Sequence, residues 1–512
     1  MFSRRAYCAA LLCLTSLLIG CAHRSPFSTV TMLIENSPNS LDPRIGTDSQ
    51  AERIDALIFD SLVERNDHLG LDPDLAVSWE TPDPRTYIFH LRTGVYFQDG
   101  RPLTSRDVKW TLDSVLNGTI VSIKAGAYKH ISSIETPDPA TVILHLSQPD
   151  PGLLWNLCNG GIGIVPYGSG RDFWKHPIGT GPYRFVSQQT DRDVVLERSS
   201  NYWGTRPHIA RIQFNVVPDA TTRALELEKG SADVAVNALS PDMVDALKRR
   251  PNLVVEEGPG SEIAYIVFNL RARYLKDVRV RRAIAQAINR PLIIHSLLRS
   301  QARPANSLLP TQHWAWTGDT QKYPYDPAAA NTLLDQAGYK RGTNGVRFHV
   351  GMKTSTDETT RLLAVVLQQE LAKIGIALDL RSYEFATFYS DLTRGAFEMA
   401  PSRWIGGNEQ PDIFQYAYSS ASFPPHGSNR GFYDNPQLDA LLRDAAGTLD
   451  RSRQREDYKQ VQQILSRDLP TLDLWYIDTV IIHTRRLTNV RPSPSGDFQF
   501  LRQAVIVPST NR

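Results

Sequence analysis

The stretch Thr86-Tyr87-Ile88-Phe89-His90-Leu91-Arg92-Thr93-Gly94-Val95-Tyr96-Phe97-Gln98-Asp99-Gly100 decides the fold class. Tyr87, Phe89 and Leu91 alternate with Ile88, His90 and Arg92, the period of a strand that shows one face to a core. Gly94 and Gly100 bracket Val95-Tyr96-Phe97 and suit turns around it. Directly afterwards, Thr104-Ser105-Arg106-Asp107 reads as a capping box that opens a helix through Val108, Leu112 and Val115. Strand, turn and helix therefore follow one another within one short run. The same alternation extends outward in both directions. Strand patterns occupy 29–34, 141–146, 376–380 and 472–477. Ile54, Leu57, Ile58 and Leu62 predict a helix over 51–65, and further helices are expected over 220–229, 278–289, 327–337 and 358–374, the last ended by Gly375. Short strands interleaved with helices of this length predict α/β lobes rather than a sandwich or a bundle.

A chain of 512 residues predicts two to four structural units, and its 41% hydrophobic content excludes a disordered chain. Pro- and Gly-rich linkers lie near 166–182, 258–261 and 303–319. No apolar run reaches the roughly 20 residues needed to cross a bilayer. The first 20 residues have the proportions of an export signal: a basic start with Arg4 and Arg5, then an apolar stretch ending in Leu18-Ile19-Gly20-Cys21. That ending resembles a bacterial lipobox, which makes Cys21 the expected lipid acceptor and the new N-terminus. Acyl chains would then hold an extracytoplasmic domain to a membrane surface. Without Arg4 and Arg5 the basic residues number 54 and equal the 54 acidic ones, so no global field draws nucleic acid. Cys8 and Cys13 leave with the signal, so Cys158 is the one remaining thiol and no intramolecular disulfide is expected. In its apolar setting, after Leu153-Leu154-Trp155-Asn156-Leu157, Cys158 reads as a buried small hydrophobe.

A search for chemistry is negative. There is no G-x-S-x-G elbow, P-loop, H-E-x-x-H or complete dinucleotide fingerprint, and the 12 histidines include no pair four residues apart. No cofactor, metal or enzymatic activity is expected.

Several strings, taken in order, resemble the large extracytoplasmic solute-binding proteins of ABC importers, the peptide/nickel family that includes oligopeptide and dipeptide receptors. They are Ser40-Leu41-Asp42-Pro43, Leu75-Ala76-Val77-Ser78-Trp79 with the 86–108 run, Gly179-Thr180-Gly181-Pro182-Tyr183, Asn201-Tyr202-Trp203-Gly204, Gly230-Ser231-Ala232-Asp233, and Phe268-Asn269 before Val278-Arg279-Val280-Arg281-Arg282-Ala283-Ile284. Tyr325-Asp326-Pro327 and Ala337-Gly338-Tyr339 follow. The likeness spans nearly the whole mature chain. It implies a two-lobed fold closing on solute, with an extra domain inserted in the first lobe. The expected division is a signal over 1–20, a tether over 21–26, lobe I from 27–57, 169–268 and 479–512, the inserted domain over 58–168, and lobe II over 269–478. The implied function is capture of a peptide-like solute and delivery to the permease subunits of an ABC importer. A nickel chelate, a sugar or another small solute is the alternative cargo. A secreted hydrolase and a helper for folding exported chains are the remaining alternatives.

The resemblance also suggests the ligand wall. Twelve aromatics fall within the 51 residues from Tyr383 to Tyr433, and most of them are expected in the core of lobe II. Relatives carry a Trp-x-x-Asp element here whose carboxylate pairs with a peptide's ammonium. In this chain the tryptophan is Trp404, but Gly407 stands at the acidic position, followed by Asn408 and Glu409. Either Glu409 or Asp412 replaces the missing acid, or the ligand is not held by an amino end. Candidate ligand-binding residues are Trp404, Arg403, Asn408, Asn36, Ser37, Tyr265 and Asn269.

Overall fold

The structure, a computed structural model, describes residues 29–406 and 409–507. The export signal, Cys21 and Asn408 lie outside the described residues. Three sheets organise the chain. A seven-stranded sheet carries, in spatial order, Leu253–Gly258, Thr479–Thr484, Val234–Val236, Thr29–Ile34, Arg211–Val216, Asp193–Arg198 and Tyr183–Gln189. Thr29–Ile34 runs parallel to both neighbours, with Thr29 opposite Arg211 and Met32 opposite Val234. A six-stranded sheet orders Ala302–Pro304, Thr471–Ile477, Ile263–Phe268, Met399–Trp404, Phe348–Ser355 and Ile376–Tyr383. A four-stranded antiparallel sheet holds Ala76–Asp83, Thr86–Leu91, Thr141–Leu146 and Ile131–Asp138.

In the four-stranded sheet the alternation read from the sequence has its physical meaning. Tyr87, Phe89 and Leu91 are buried while Thr86, Ile88 and His90 are half-exposed. The buried face packs on the helix Ser105–Leu116 through Val108, Leu112 and Val115. That helix begins in the expected capping box, where Asp107 Oδ2 accepts from the Thr104 backbone N–H at 2.8 Å. Gly94 and Gly100 have φ of 75° and 89°, a region that glycine enters without cost.

Ile263–Phe268 lies inside the six-stranded sheet, between Thr471–Ile477 and Met399–Trp404. Every one of its residues is buried, because apolar layers cover both faces of the sheet. Ile266 and Phe268 face one cluster, and Ile263, Tyr265 and Val267 face the other. The family resemblance implies that this strand, within 169–268, belongs to lobe I. Its hydrogen-bond partners, Met399–Trp404 and Thr471–Ile477, place it in the six-stranded sheet instead.

The chain passes between the two large sheets twice, at 259–262 and at Asp478, and the two passages lie side by side. The Ile477 N–H donates to the Glu262 carbonyl at 2.8 Å. A Cβ on Gly260 would stand 2.1 Å from the Ile477 carbonyl oxygen, so only glycine permits this approach.

The expected helix over 51–65 is shorter in the structure, Ser49–Ile58, and Val63–Arg65 is a strand. The reason is tertiary. The Ile58 carbonyl, which would continue the helix, accepts from the Gly181 N–H at 2.9 Å and from Gln98 Nε2 at 3.1 Å. Gly179-Thr180-Gly181 is therefore a packing element as well as a bend into the strand Tyr183–Gln189. A Cβ on Gly179 would lie 2.0 Å from the Ile58 oxygen. Gly179→Ala is expected to destabilise the fold by about 1–3 kcal/mol, as overpacking against backbone does, measured as a lower denaturation midpoint with unchanged far-UV spectrum.

Candidate functional site: a cavity at the hinge end of lobe II

The strand Met399–Trp404 brings its last residue next to the two crossings. Trp404 lies opposite Ile263, the first residue after one crossing, and Ile263 lies opposite Tyr476, just before the other. Strand geometry then aims the side chains of alternate residues to one face. Tyr265 stacks on Trp404 with ring centroids 6.3 Å apart and planes 10° apart, and Tyr416 meets the same indole edge-on at 6.1 Å. Two neighbours hold the indole without covering it, since Trp404 remains half-buried.

Beside this stack is a cavity of about 570 Å³, within the range of small-molecule sites. Its wall includes Trp404, Tyr265, Leu363, Phe388, Leu474 and Trp475. The helix Phe385–Thr393 contributes Phe385 and Tyr389 to the lining, stacked at 6.0 Å, and Ile405 belongs to the same lining. Phe385 is 62% exposed and Ile405 66% exposed. Large apolar groups left in water around one opening mark a surface built for contact. A second cavity in lobe II, beside Asp473 and Arg290, holds only about 50 Å³ and is too small for a peptide.

Charged groups at the large cavity are few. Arg403 is half-exposed at the rim, 3.3 Å from Glu262 and 3.9 Å from Asp357. Arg430 is buried in the wall, its guanidinium 5.1 Å from the Tyr389 ring and 6.0 Å from the Trp404 ring. Glu409 and Asp412, the possible substitutes for the acid absent at Gly407, do not line this cavity. Glu409 is buried and pairs with Arg65 at 2.6 Å, and Ser261 Oγ donates to its other oxygen at 2.7 Å. Arg65 belongs to the strand Val63–Arg65, so this ion pair ties the region of the four-stranded sheet to lobe II. Asp412 accepts from the Tyr458 hydroxyl at 3.2 Å, and burial pushes its carboxyl up to about 6.

Of the candidate residues, the structure brings together Trp404, Arg403 and Tyr265. Asn269 is not at the cavity: its amide donates to the Gly395 and Phe397 carbonyls at 3.0 and 2.8 Å, and its oxygen accepts from the Arg271 N–H, so its groups are spent inside lobe II. Asn36 is exposed at the end of Thr29–Ile34, with Nδ2 donating to the Ser37 carbonyl. Ser37 Oγ accepts from the Asp191 N–H at 2.7 Å. Neither lines this cavity. Sequence reasoning missed Phe385, Tyr389 and Arg430, although the first two fall in the aromatic-rich stretch. Cys158 is buried, and burial pushes its thiol up to about 11, as suits an inert packing residue. Among the described residues no group of three His, Cys, Asp or Glu is placed to hold a metal ion.

With the geometry in view, comparison with known proteins gives the family. Residues 70–424 match the model of bacterial extracellular solute-binding proteins, family 5. The chain belongs to this family. Like the family's solved members it is a mixed α/β protein of two lobes. The dipeptide-binding protein of Escherichia coli strain K12 is 27% identical over 499 residues, covering 91% of each chain. The periplasmic binding protein DppA from Helicobacter pylori, solved with peptide STSA, superposes with a TM-score of 0.75 at 26% identity over 93% of this chain and 98% of its own. NikZ from Campylobacter jejuni, solved with Ni(L-His), superposes at 0.76 with 25% identity over 92% and 98%. Trp404, held between Tyr265 and Tyr416 on the cavity wall, is the aromatic face most open to a test of solute contact. Trp404→Ala is expected to weaken solute binding at least tenfold while the melting temperature stays within a few degrees of the parent. A loss of several kcal/mol of stability would instead mark Trp404 as a core residue.

Proposed function

We propose that this protein captures a peptide-like solute between its lobes and delivers it to the membrane subunits of an ABC importer, without chemistry of its own. The observation that carries this reading is the aromatic cavity at the hinge end of lobe II, in a chain whose family binds extracellular solutes. The two adjacent crossings at 259–262 and Asp478 support closure by rotation about that pair, with lobe I formed by 29–57, 169–258 and 479–507, an inserted unit over 58–168, and lobe II over 263–478. Solute would bias the closed population through its greater affinity for that state, and the membrane subunits would read the closed form.

The peptide assignment rests on the dipeptide-binding relative and on the structure solved with a peptide. A thermal-shift screen of di- to octapeptides is expected to give stabilisation of about 2.7 kcal/mol at a hundredfold excess over Kd. Native mass spectrometry of freshly purified protein then names the cargo by mass. A panel without hits, together with a co-purified sugar or metal chelate, replaces peptide by that cargo.

We further propose that Cys21 carries the lipid that holds the receptor at the membrane outside the cytoplasm. Support comes from the Leu18-Ile19-Gly20-Cys21 string and from the family's extracellular placement; among the described residues no helix is long and apolar enough to cross a membrane. Cys21→Ser is expected to move the protein from the membrane fraction to the soluble extracytoplasmic fraction. Retention in the membrane fraction would remove the anchor.

A further inference from the structure

Four arginines are buried among the described residues, and three of them are fully compensated. Arg44 pairs with Asp42 at 2.8 Å. Arg223 donates to the carbonyls of Ala238, Val217 and Pro218, and Arg281 to those of Leu469, Leu275, Lys276 and Asp468. Arg430 is the exception. Nη2 donates to the Tyr389 hydroxyl at 3.2 Å, Nη1 reaches Ser402 Oγ only at 3.4 Å, and Nε has no partner. No carboxylate of the described residues is within ion-pair distance. The guanidinium is about nine-tenths buried and stands on the wall of the 570 Å³ cavity. Its position is not accidental slack. The Asn429 amide beside it donates to the carbonyls of Tyr418, Ser419 and Tyr433 at 3.1, 3.0 and 2.7 Å, which fixes the loop.

A buried cation served by two neutral hydroxyls and the faces of Tyr389 and Trp404, with no counter-ion, remains costly, and folded proteins keep such a group where an anion completes it. A guanidinium is also the side chain best shaped to take a carboxylate through two hydrogen bonds. The opposite charge is poorly provided for. In sequence Gly407 replaces the acid that the resemblance leads one to expect, Glu409 is committed to Arg65, and Asp357 on the cavity rim is half-exposed and already near Arg403. The remaining wall is aromatic and aliphatic apart from the neutral hydroxyl residues Ser355, Thr359, Thr360 and Ser402.

We propose that Arg430 is the anion anchor of this receptor: its solute enters as a carboxylate paired to Arg430, with a bulky apolar group against Trp404, Phe388 and Leu363. For a peptide, this means recognition through the carboxyl end and an apolar last residue, rather than through the amine. The proposal rests on the cavity being the solute site, as argued above.

The test uses ligand-stripped protein and three probes: Ala-Phe, N-acetyl-Ala-Phe, and the C-terminal amide of Ala-Phe. Calorimetry is expected to show the acetylated acid binding within a few-fold of Ala-Phe and the amide at least tenfold weaker. Arg430→Met removes the preference, and Arg430→Lys restores part of it. Equal binding of acid and amide overturns the proposal. A second readout needs no solute. Because Arg430→Met removes an uncompensated charge, the ligand-free variant is expected to melt at or above the parent temperature. A fall of several degrees assigns Arg430 to the scaffold and overturns the proposal. The cargo separates this inference from the peptide reading. A co-purified non-peptide carboxylate that Arg430→Met loses keeps the anchor and removes the peptide. A neutral or cationic cargo retained by Arg430→Met removes the anchor.

Discussion

Everything that positions the cavity depends on the contact between the two crossing segments. Gly260 lies so close to the Ile477 carbonyl that any side chain there would collide, and Glu262 holds the Ile477 N–H. Immediately beyond that contact, Ile263 and Tyr476 become neighbours in the six-stranded sheet, and Trp404 is paired on the far side of Ile263. The two crossings and the cavity wall are thus consecutive parts of one backbone ladder. If the proposed solute site and closure hold, the wall is rigid within one sheet and the joint lies only a few residues away.

What could be read in advance was what local chemistry controls. The strand Thr86–Leu91 declared itself through alternation, because one face packs on a helix and the other meets water. The helix from Ser105 was announced by its capping box, which is a contact between residues three apart. The helix expected to run to Arg65 shows where such reading stops. Leu62 keeps helical spacing and is indeed buried, but it packs in the core of the four-stranded sheet after the chain has left the helix. The determinant is the Ile58 carbonyl, taken by Gly181 and Gln98 from distant positions, and no periodicity encodes that.

The same division holds at the site. Trp404 and Tyr265 were named through family likeness, and their stacking follows from pairing of two strands more than a hundred residues apart. Arg430 carried no sign of its own. It sits in Ser428-Asn429-Arg430-Gly431, a loop that resembles many solvated loops, and only its unpartnered Nε and two long hydroxyl contacts separate it from the other buried arginines of the described residues. Glu409 illustrates the reverse. A lone acid near a missing acid looked available, whereas a partner 344 residues away in sequence already owns it.

That partnership between Arg65 and Glu409 has a mechanical meaning. Glu409 is almost dry where it meets the guanidinium, so forming the pair forfeits hydration that its attraction roughly returns, and the net adhesion is small. What it contributes is direction. With its oxygens shared between an arginine and the Ser261 hydroxyl next to the crossing, the carboxylate fixes where the strand Val63–Arg65 meets the crossing segment. A pair of this kind sets the register of two parts of a fold more than it glues them together.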